Sequence, residues 1–179
     1  KQALRRAQGA EEQRAAIAGL AATKEPAAIE VLNRYAKTPE LEREVEQAIE
    51  ALEKDLLAAS ASHNPDDAQL AIDRDPMTRW TTGTAQSAGQ WFEVDLGREK
   101  EIDRIILDAG TSTNDFPREY VVRISTSARR WGRPVASGIG ASARIEIAFS
   151  PKKGRYVRIE QTGTADFWWS IHEVSFGEK

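Results

Sequence analysis

The sequence changes composition once, between Leu57 and Ala58, and this change limits what the chain can fold into. Residues 1–57 are rich in Ala, Glu, Leu and Arg and contain no tryptophan. Residues 58–179 hold all five tryptophans and most of the glycines. Because the first composition favours helices and the second favours strands and turns, we predict an all-α segment over 1–57 and an all-β domain over 58–179.

Apolar residues recur at steps of three and four in the first segment, which predicts amphipathic helices. One helix is expected from Glu11 to Thr23, a second opens at Glu25-Pro26, and a third opens at Thr38-Pro39-Glu40. The pattern Ala-Ile-x-x-Leu occurs three times, from Ala16, Ala28 and Ala48. Such repeats resemble HEAT-type α-solenoid units, and a plain helical hairpin or three-helix cap explains them equally well.

The second segment alternates short apolar strands with glycine-bearing or polar turns. Strands are expected over residues 91–97, 102–107, 120–125, 143–147, 155–160 and 171–176. Because no helical pattern separates them, their spacing indicates an antiparallel sandwich or barrel.

An acidic turn carries the clearest binding chemistry in the sequence. Asp73, Asp75 and Thr78 lie in one short loop with Pro76. Carboxylates, a hydroxyl and free backbone carbonyls are the ligands that Ca²⁺ requires. An ordinary surface turn, closed by hydrogen bonds from side chains to the backbone, would explain the same residues.

The motifs around this turn resemble the discoidin superfamily, also called the coagulation factor 5/8 type C domain, and within it the family 32 carbohydrate-binding modules. The resemblance covers residues 58–177 and implies a galactose-binding-domain-like jelly-roll β-sandwich of about eight strands. It rests on His63-Asn64-Pro65, Ala71-Ile72-Asp73-x-Asp75-Pro76-x-Thr78-Arg79-Trp80, Gly89-Gln90-Trp91-Phe92-Glu93-Val94-Asp95-Leu96-Gly97, Tyr156-Val157-Arg158-Ile159 and Trp169-Ser170-Ile171-His172-Glu173-Val174, in that order.

The resemblance also implies a structural Ca²⁺ ion. Its ligands would be carboxylates, a hydroxyl and backbone carbonyls supplied by Leu70, Asp73, Asp75, Thr78, His172 and Glu173. Arg74 stands where the relatives usually have glycine, which leaves open whether the turn keeps a positive φ there.

A sugar ligand would need an exposed aromatic ring with polar groups around it. Phe167, Trp168 and Trp169 cannot all face one core, so we predict that Trp168, and secondarily Phe167, forms a platform; burial of all three under neighbouring loops is the alternative. Trp80, Trp91 and Trp131 are expected to be packing residues.

The loop 111–118 is the second source of ligand-binding candidates. Asn114, Asp115 and Arg118 could surround a sugar with hydrogen bonds; alternatively, Asn114 and Asp115 only shape a turn and Arg118 pairs with Glu119 or Asp115. His63, Asn64, Gln86 and Ser87 are weaker candidates.

The sequence argues against catalysis and against several classes of partner. It has no cysteine, only two histidines and none of the common nucleophile or phosphate-binding motifs. The net charge of -3 gives no reason to expect nucleic acid, and no apolar run is long enough to cross a membrane. We therefore expect a monomeric module that binds a glycan or polysaccharide and catalyses no reaction.

Two other functions stay open at this point. A discoidin-type module can bind proteins or phospholipids, or it can pack on its own parent protein as a structural domain. The first residue is Lys1 and no signal peptide follows it. We expect a fragment of a larger protein, and the family implies an extracellular or periplasmic location.

Overall fold

The computed structural model describes residues 9–36 and 38–178. The chain divides into two compact units that meet between Leu57 and Ala58, the position at which the composition changes. Each unit has its own apolar core.

The first unit contains three helices: α1 (Ala10–Ala21), α2 (Pro26–Tyr35) and α3 (Glu42–Leu56). Pro26 opens α2, as expected for a residue whose missing N–H is not needed there. The start predicted for α3 is wrong by three residues, because residues 38–41 form a turn in which Leu41 N donates to Thr38 O (2.9 Å) and the helix begins at Glu42. The core of this unit includes three repeat positions, Ile17, Ile29 and Leu52, all at most 3% exposed.

The second unit is an antiparallel β-sandwich of eight strands among the described residues. They are β1 (Ala58–Ala61), β2 (Trp80–Thr81), β3 (Trp91–Asp108), β4 (Glu119–Ser125), β5 (Ala136–Ile139), β6 (Arg144–Gln161), β7 (Ser170–Ile171) and β8 (Glu173–Glu178). A 3-10 helix, Pro65–Ala71, follows β1. The larger sheet has the order β1-β3-β6-β4-β5, with β8 also paired to β3, and β2 pairs with β7.

Two long strands shape the sandwich. Each of β3 and β6 joins two of the strands that the sequence predicts, and shifts of register after Asp95 and after Ile102 interrupt their ladder. The first half of β3 pairs with β1, and the second half pairs with β8. Such interruptions let a long strand bend. Strand β3 can therefore pair with both the first and the last strand of the domain.

The sandwich core is centred on Trp80. Its ring lies 4.9 Å from the ring of Phe92 and 5.2 Å from that of Trp169, and the residue is fully buried, as predicted. The prediction that Trp91 packs in the core is wrong. Trp91 precedes Phe92 on β3, so the alternation of a strand turns its side chain to the outer face of the sheet, where it stacks on Arg158 at 4.4 Å.

Candidate functional site

The loop between β6 and β7 displays two aromatic side chains. Phe167 is 48% exposed and Trp168 is 45% exposed, whereas the next residue, Trp169, is fully buried. Trp169 packs edge-on against Trp80, and its backbone N–H donates to Thr82 Oγ1 (3.1 Å). The buried tryptophan therefore anchors the loop and leaves its two neighbours at the surface.

Gln86 joins this loop to the loop 111–118. Its Nε2 donates to the carbonyl oxygens of Phe116 (3.0 Å) and Trp168 (2.8 Å). Its Oε1 accepts from the backbone N–H of Arg118 (3.1 Å) and from the side chain of Gln161. Gln86 is only 3% exposed, so it supports the loops from below and does not face a ligand.

Arg118 lies between two aromatic rings. Its Cζ atom is 4.0 Å from the centre of the Phe116 ring and 5.2 Å from that of Phe167. Its Nη2 donates to Asn114 O (2.8 Å). Arg118 forms no ion pair with any residue that the structure describes, so pairing with Glu119 or Asp115 is not its role here. The guanidinium is fixed by stacking and by one carbonyl.

We call Phe167, Trp168, Arg118 and Asn114 the aromatic site. Asn114 is exposed, and Asp115 follows it in the sequence. That residue, Asp115, accepts through Oδ2 from Ser170 Oγ (2.9 Å), and its carbonyl accepts from Ser170 N (2.8 Å). Asp115 therefore ties the loop to β7.

His63 lies apart from these contacts. Its Nδ1 is 3.0 Å from Ser62 Oγ, and its carbonyl accepts from Trp80 Nε1 (2.8 Å). These contacts connect it to the residue after β1 and to β2, and neither of them reaches Arg118 or Phe167.

The second residue of β4, Tyr120, is buried in the core. Burial raises the pKa of its phenol, so Tyr120 stays neutral at physiological pH. The phenol oxygen would be 2.5 Å from a Cβ at position 138, where the chain has glycine. Tyr120 is therefore a packing residue rather than an ionisable group of the site.

The acidic turn brings four oxygen-bearing residues together. Thr78 Oγ1 lies 2.9 Å from Asp73 Oδ2, 3.0 Å from Asp75 O and 3.3 Å from Leu70 O. A hydroxyl has one hydrogen and can donate it to only one of these three acceptors. The oxygen set of residues 70–78 is therefore compatible with a hard cation, which would accept lone pairs from all four atoms.

The same carboxylates also shape the turn. Asp73 Oδ1 accepts from Asp75 N (2.8 Å), and Asp75 Oδ1 accepts from Met77 N (2.9 Å). Arg74 adopts a φ of 67°, so the turn keeps the left-handed geometry although the residue is not glycine. Within residues 9–36 and 38–178, no three His, Cys, Asp or Glu side chains are grouped to hold a metal. A cation here would need carbonyl and hydroxyl oxygens in addition to carboxylates.

His172 joins the turn to the end of β3 and the loop after it. Its Nδ1 is 2.9 Å from Pro76 O, its Nε2 is 3.1 Å from Ser112 Oγ, and its backbone N donates to Asp108 O (2.8 Å). Because Pro76 O can only accept, Nδ1 carries the proton in this arrangement. Gly110 (φ 52°) is required beside it, since a Cβ there would lie 2.8 Å from the imidazole.

Glu173 is the first residue of β8, directly after His172. Strand β8 contacts the 3-10 helix that leads into the acidic turn, and the Glu173 Oε1 atom is buried. The structure therefore places the two ends of the domain side by side. Whether Glu173 and the His172 carbonyl bind a cation stays a prediction.

None of the described helices is both long and apolar enough to cross a membrane.

Comparisons with solved structures find carbohydrate-binding modules of the same fold. A family 32 module of Clostridium perfringens NanJ, solved with galactose, is 23% identical, covers 69% of this chain and 95% of its own, and superposes with a TM-score of 0.60. The family 32 module of AlyQ, solved with 4,5-unsaturated mannuronic acid, is 26% identical, covers 68% and 95%, and gives a TM-score of 0.55.

A third solved module belongs to a family 31 glycoside hydrolase of Clostridium perfringens. It is 17% identical, covers 71% of this chain and 94% of its own, and gives a TM-score of 0.57. No curated protein sequence matches the chain.

The model of the F5/8 type C domain matches residues 57–174, which is most of the chain and nearly the whole of the β-sandwich described above. This match confirms the resemblance seen in the sequence motifs, and the chain belongs to the F5/8 type C, or discoidin, domain family.

Proposed function

We propose that the β-sandwich is a non-catalytic module that binds a glycan at the aromatic site. The observation that carries this proposal is the exposure of Phe167 and Trp168 beside Arg118 and Asn114. Exposed aromatic rings cover the apolar face of a sugar, and side-chain donors beside them bond its hydroxyl groups.

The polar groups of the aromatic site suit this task. Arg118 uses Nη2 to hold Asn114 O, and its Nε and Nη1 make no hydrogen bond with the described part of the chain. Stacking on Phe116 and Phe167 keeps the guanidinium in place before a ligand arrives. A donor that is already fixed loses less conformational entropy on binding.

We further propose a structural Ca²⁺ ion at the acidic turn. The carbonyl oxygens of Leu70 and Asp75, the Asp73 carboxylate and the Thr78 hydroxyl would hold it, with Glu173 and the His172 carbonyl as additional ligands. The convergence of three acceptor oxygens on Thr78 Oγ1 supports this. When bound, the ion would neutralise the carboxylates and hold the turn together. Elemental analysis that finds no stoichiometric metal would contradict it.

A glycan module without catalytic groups acts by holding a larger protein against its substrate. The related module from a family 31 glycoside hydrolase is part of such a protein. We accordingly propose that this chain serves a larger extracytoplasmic protein, with the helical unit as its connection.

The test is a glycan array with residues 1–179, repeated with Trp168→Ala. Gln47→Ala is the control, because Gln47 is exposed on α3, in the helical unit. We expect binding to one sugar class, loss of at least about tenfold in affinity in Trp168→Ala, and no change in Gln47→Ala.

Three other results would contradict this proposal or point to another site or function. Folded, metal-loaded protein that binds no glycan would contradict the proposal. Binding that survives Trp168→Ala and Phe167→Ala would place the sugar at another surface. Pelleting with phospholipid vesicles, in place of glycan binding, would favour a membrane-binding discoidin module.

A further inference from the structure

A basic loop lies at the other end of β4 from the aromatic site. The aromatic site adjoins Glu119, where β4 begins, whereas residues 126–135 follow Ser125, where β4 ends. We call residues 126–135 the basic loop, because Arg129, Arg130 and Arg133 fall within five residues of it. A seven-residue strand is about 23 Å long, so one small ligand cannot reach both regions.

The three arginines of the basic loop carry charge that their surroundings do not cancel. All three are exposed. None of their guanidinium groups makes an ion pair or hydrogen bond with a described residue. A chain with a net charge of -3 thus concentrates three positive charges within about 14 Å.

The acids on the neighbouring sheet face are already paired with other arginines. Three ion pairs lie there, between β3 and β6 or between β4 and β6. They are Arg158–Glu93 (2.8 Å), Arg123–Glu160 (2.6 Å) and Arg155–Asp95 (2.7 Å). Each pair is neutral as a unit, so this face leaves the charge of the basic loop uncompensated.

The basic loop is also held in place. The Trp131 ring lies 4.6 Å from Arg158 Cζ, and Trp91 covers the same guanidinium at 4.4 Å. Ser125 Oγ donates to Arg130 O (2.7 Å), and Arg130 N donates to Ser127 O (3.3 Å). The arginines therefore extend from a backbone that is fixed by stacking and hydrogen bonds, which reduces the entropy lost on binding.

We propose that the basic loop binds an anionic polysaccharide through its carboxylate or sulfate groups. A run of unpaired guanidinium groups on a fixed backbone matches a chain of carboxylate or sulfate groups in charge and in hydrogen-bond chemistry. This surface acts independently of the aromatic site.

The surroundings of the basic loop favour this partner over two other polyanions. Membrane-binding loops insert apolar side chains, whereas the Trp131 ring is only partly exposed and lies over Arg158. Single-stranded nucleic acid stacks its bases on open aromatic faces, and one face of Trp131 is covered by the guanidinium.

The test measures binding of residues 1–179 to polygalacturonate, dextran sulfate and uncharged dextran at about 50 and 200 mM NaCl. We expect binding to at least one charged polymer and none to dextran, with affinity falling roughly 20- to 40-fold across this salt range if all three arginines release counterions. The polygalacturonate and dextran sulfate arms distinguish carboxylate from sulfate recognition.

Two triple variants locate the contact. Replacing Arg129, Arg130 and Arg133 with glutamine should remove most of the binding and flatten its salt dependence by about two to three slope units. Replacing Arg34, Arg43 and Arg104 with glutamine changes the net charge equally at exposed positions elsewhere, and should leave binding nearly intact. Circular dichroism checks that both variants are folded.

Three results would overturn the proposal: no binding to either charged polymer at the lower salt concentration, equal losses in the two triple variants, or arginine-dependent binding to anionic lipid vesicles or single-stranded DNA alone. Trp168→Ala separates this proposal from the glycan site, because it should remove binding of the array sugar and leave polyanion binding unchanged.

Discussion

The aromatic site and the basic loop both display side chains for binding, but they are supported differently. The aromatic site rests on core residues, since Trp169 is fully buried and Gln86 is 3% exposed. The basic loop rests on Trp131 and Arg158, which are both partly exposed on the outer face of the sheet. Changes below the aromatic site should therefore reduce stability and binding together, whereas changes below the basic loop should act locally.

The largest expected difference is between two adjacent tryptophans. Trp169→Ala should lower the free energy of unfolding by about 3–5 kcal/mol, because it opens a cavity beside Trp80. Trp168→Ala should lower it by no more than about 0.5 kcal/mol, since a half-exposed side chain contributes little to packing. Urea denaturation of both variants measures the two values, and similar losses would contradict the division between support and platform.

The next largest effect is expected at Gln86. Gln86→Ala should cost about 2–3 kcal/mol, because buried partners such as Phe116 O and Arg118 N lose their hydrogen bonds. It should also weaken sugar binding, since the two loops lose their link. Gln47→Ala, at an exposed position on α3, is the control in the same urea titration. A variant that binds sugar normally would show that the link is unnecessary.

A smaller effect is expected below the basic loop. Arg158→Ala should cost about 1–2 kcal/mol, because two cation–π contacts and the hydrogen bonds to Glu93 are lost. Arg158→Lys should lose part of this, since an ammonium group cannot stack as a plane. Sugar binding at the aromatic site should not change in either variant. A loss of sugar affinity in a calorimetric titration would mean that the two ends of the domain are coupled.

The smallest effect is expected in the acidic turn, where Arg74 adopts a left-handed backbone conformation. Arg74→Gly should raise the unfolding free energy by about 0.5–1 kcal/mol, because glycine adopts a φ of 67° without steric cost. Arg74→Ala keeps the strain and should bring no gain. Thermal unfolding compares the two variants, and a stabilising alanine would show that the arginine side chain itself is unfavourable.

Much of the fold could be predicted from local sequence. The composition change at Leu57, the apolar periodicity of α3 and the alternation of β4 each depend on neighbouring residues alone. That β3 and β6 are each one continuous strand could not be predicted, because joining two strand segments through a register shift depends on the partner strand. Trp91 was misassigned for a related reason. Its motif identifies a strand. Which face of the sheet the Trp91 side chain occupies depends on how that strand pairs with its neighbours.

The candidate site was also predictable from the sequence only in part. Three adjacent aromatic residues could not share a core, so exposure of part of the group was predictable. Stacking of Arg118 on Phe116 and Phe167 was not, because it joins two loops about 50 positions apart in the sequence. The sequence makes Gln86 a weak candidate for ligand binding, and only the tertiary structure shows that its amide is used by backbone groups of both loops.

The most direct test of glycan binding at the aromatic site is an NMR titration of the five tryptophan indole N–H signals with the sugar selected on the array. Trp168→Phe assigns its own signal. Binding at the aromatic site should shift the Trp168 signal and leave those of the distant Trp91 and Trp131 in place. A saturating titration that shifts Trp91 or Trp131 while the Trp168 signal stays fixed would contradict the proposed site.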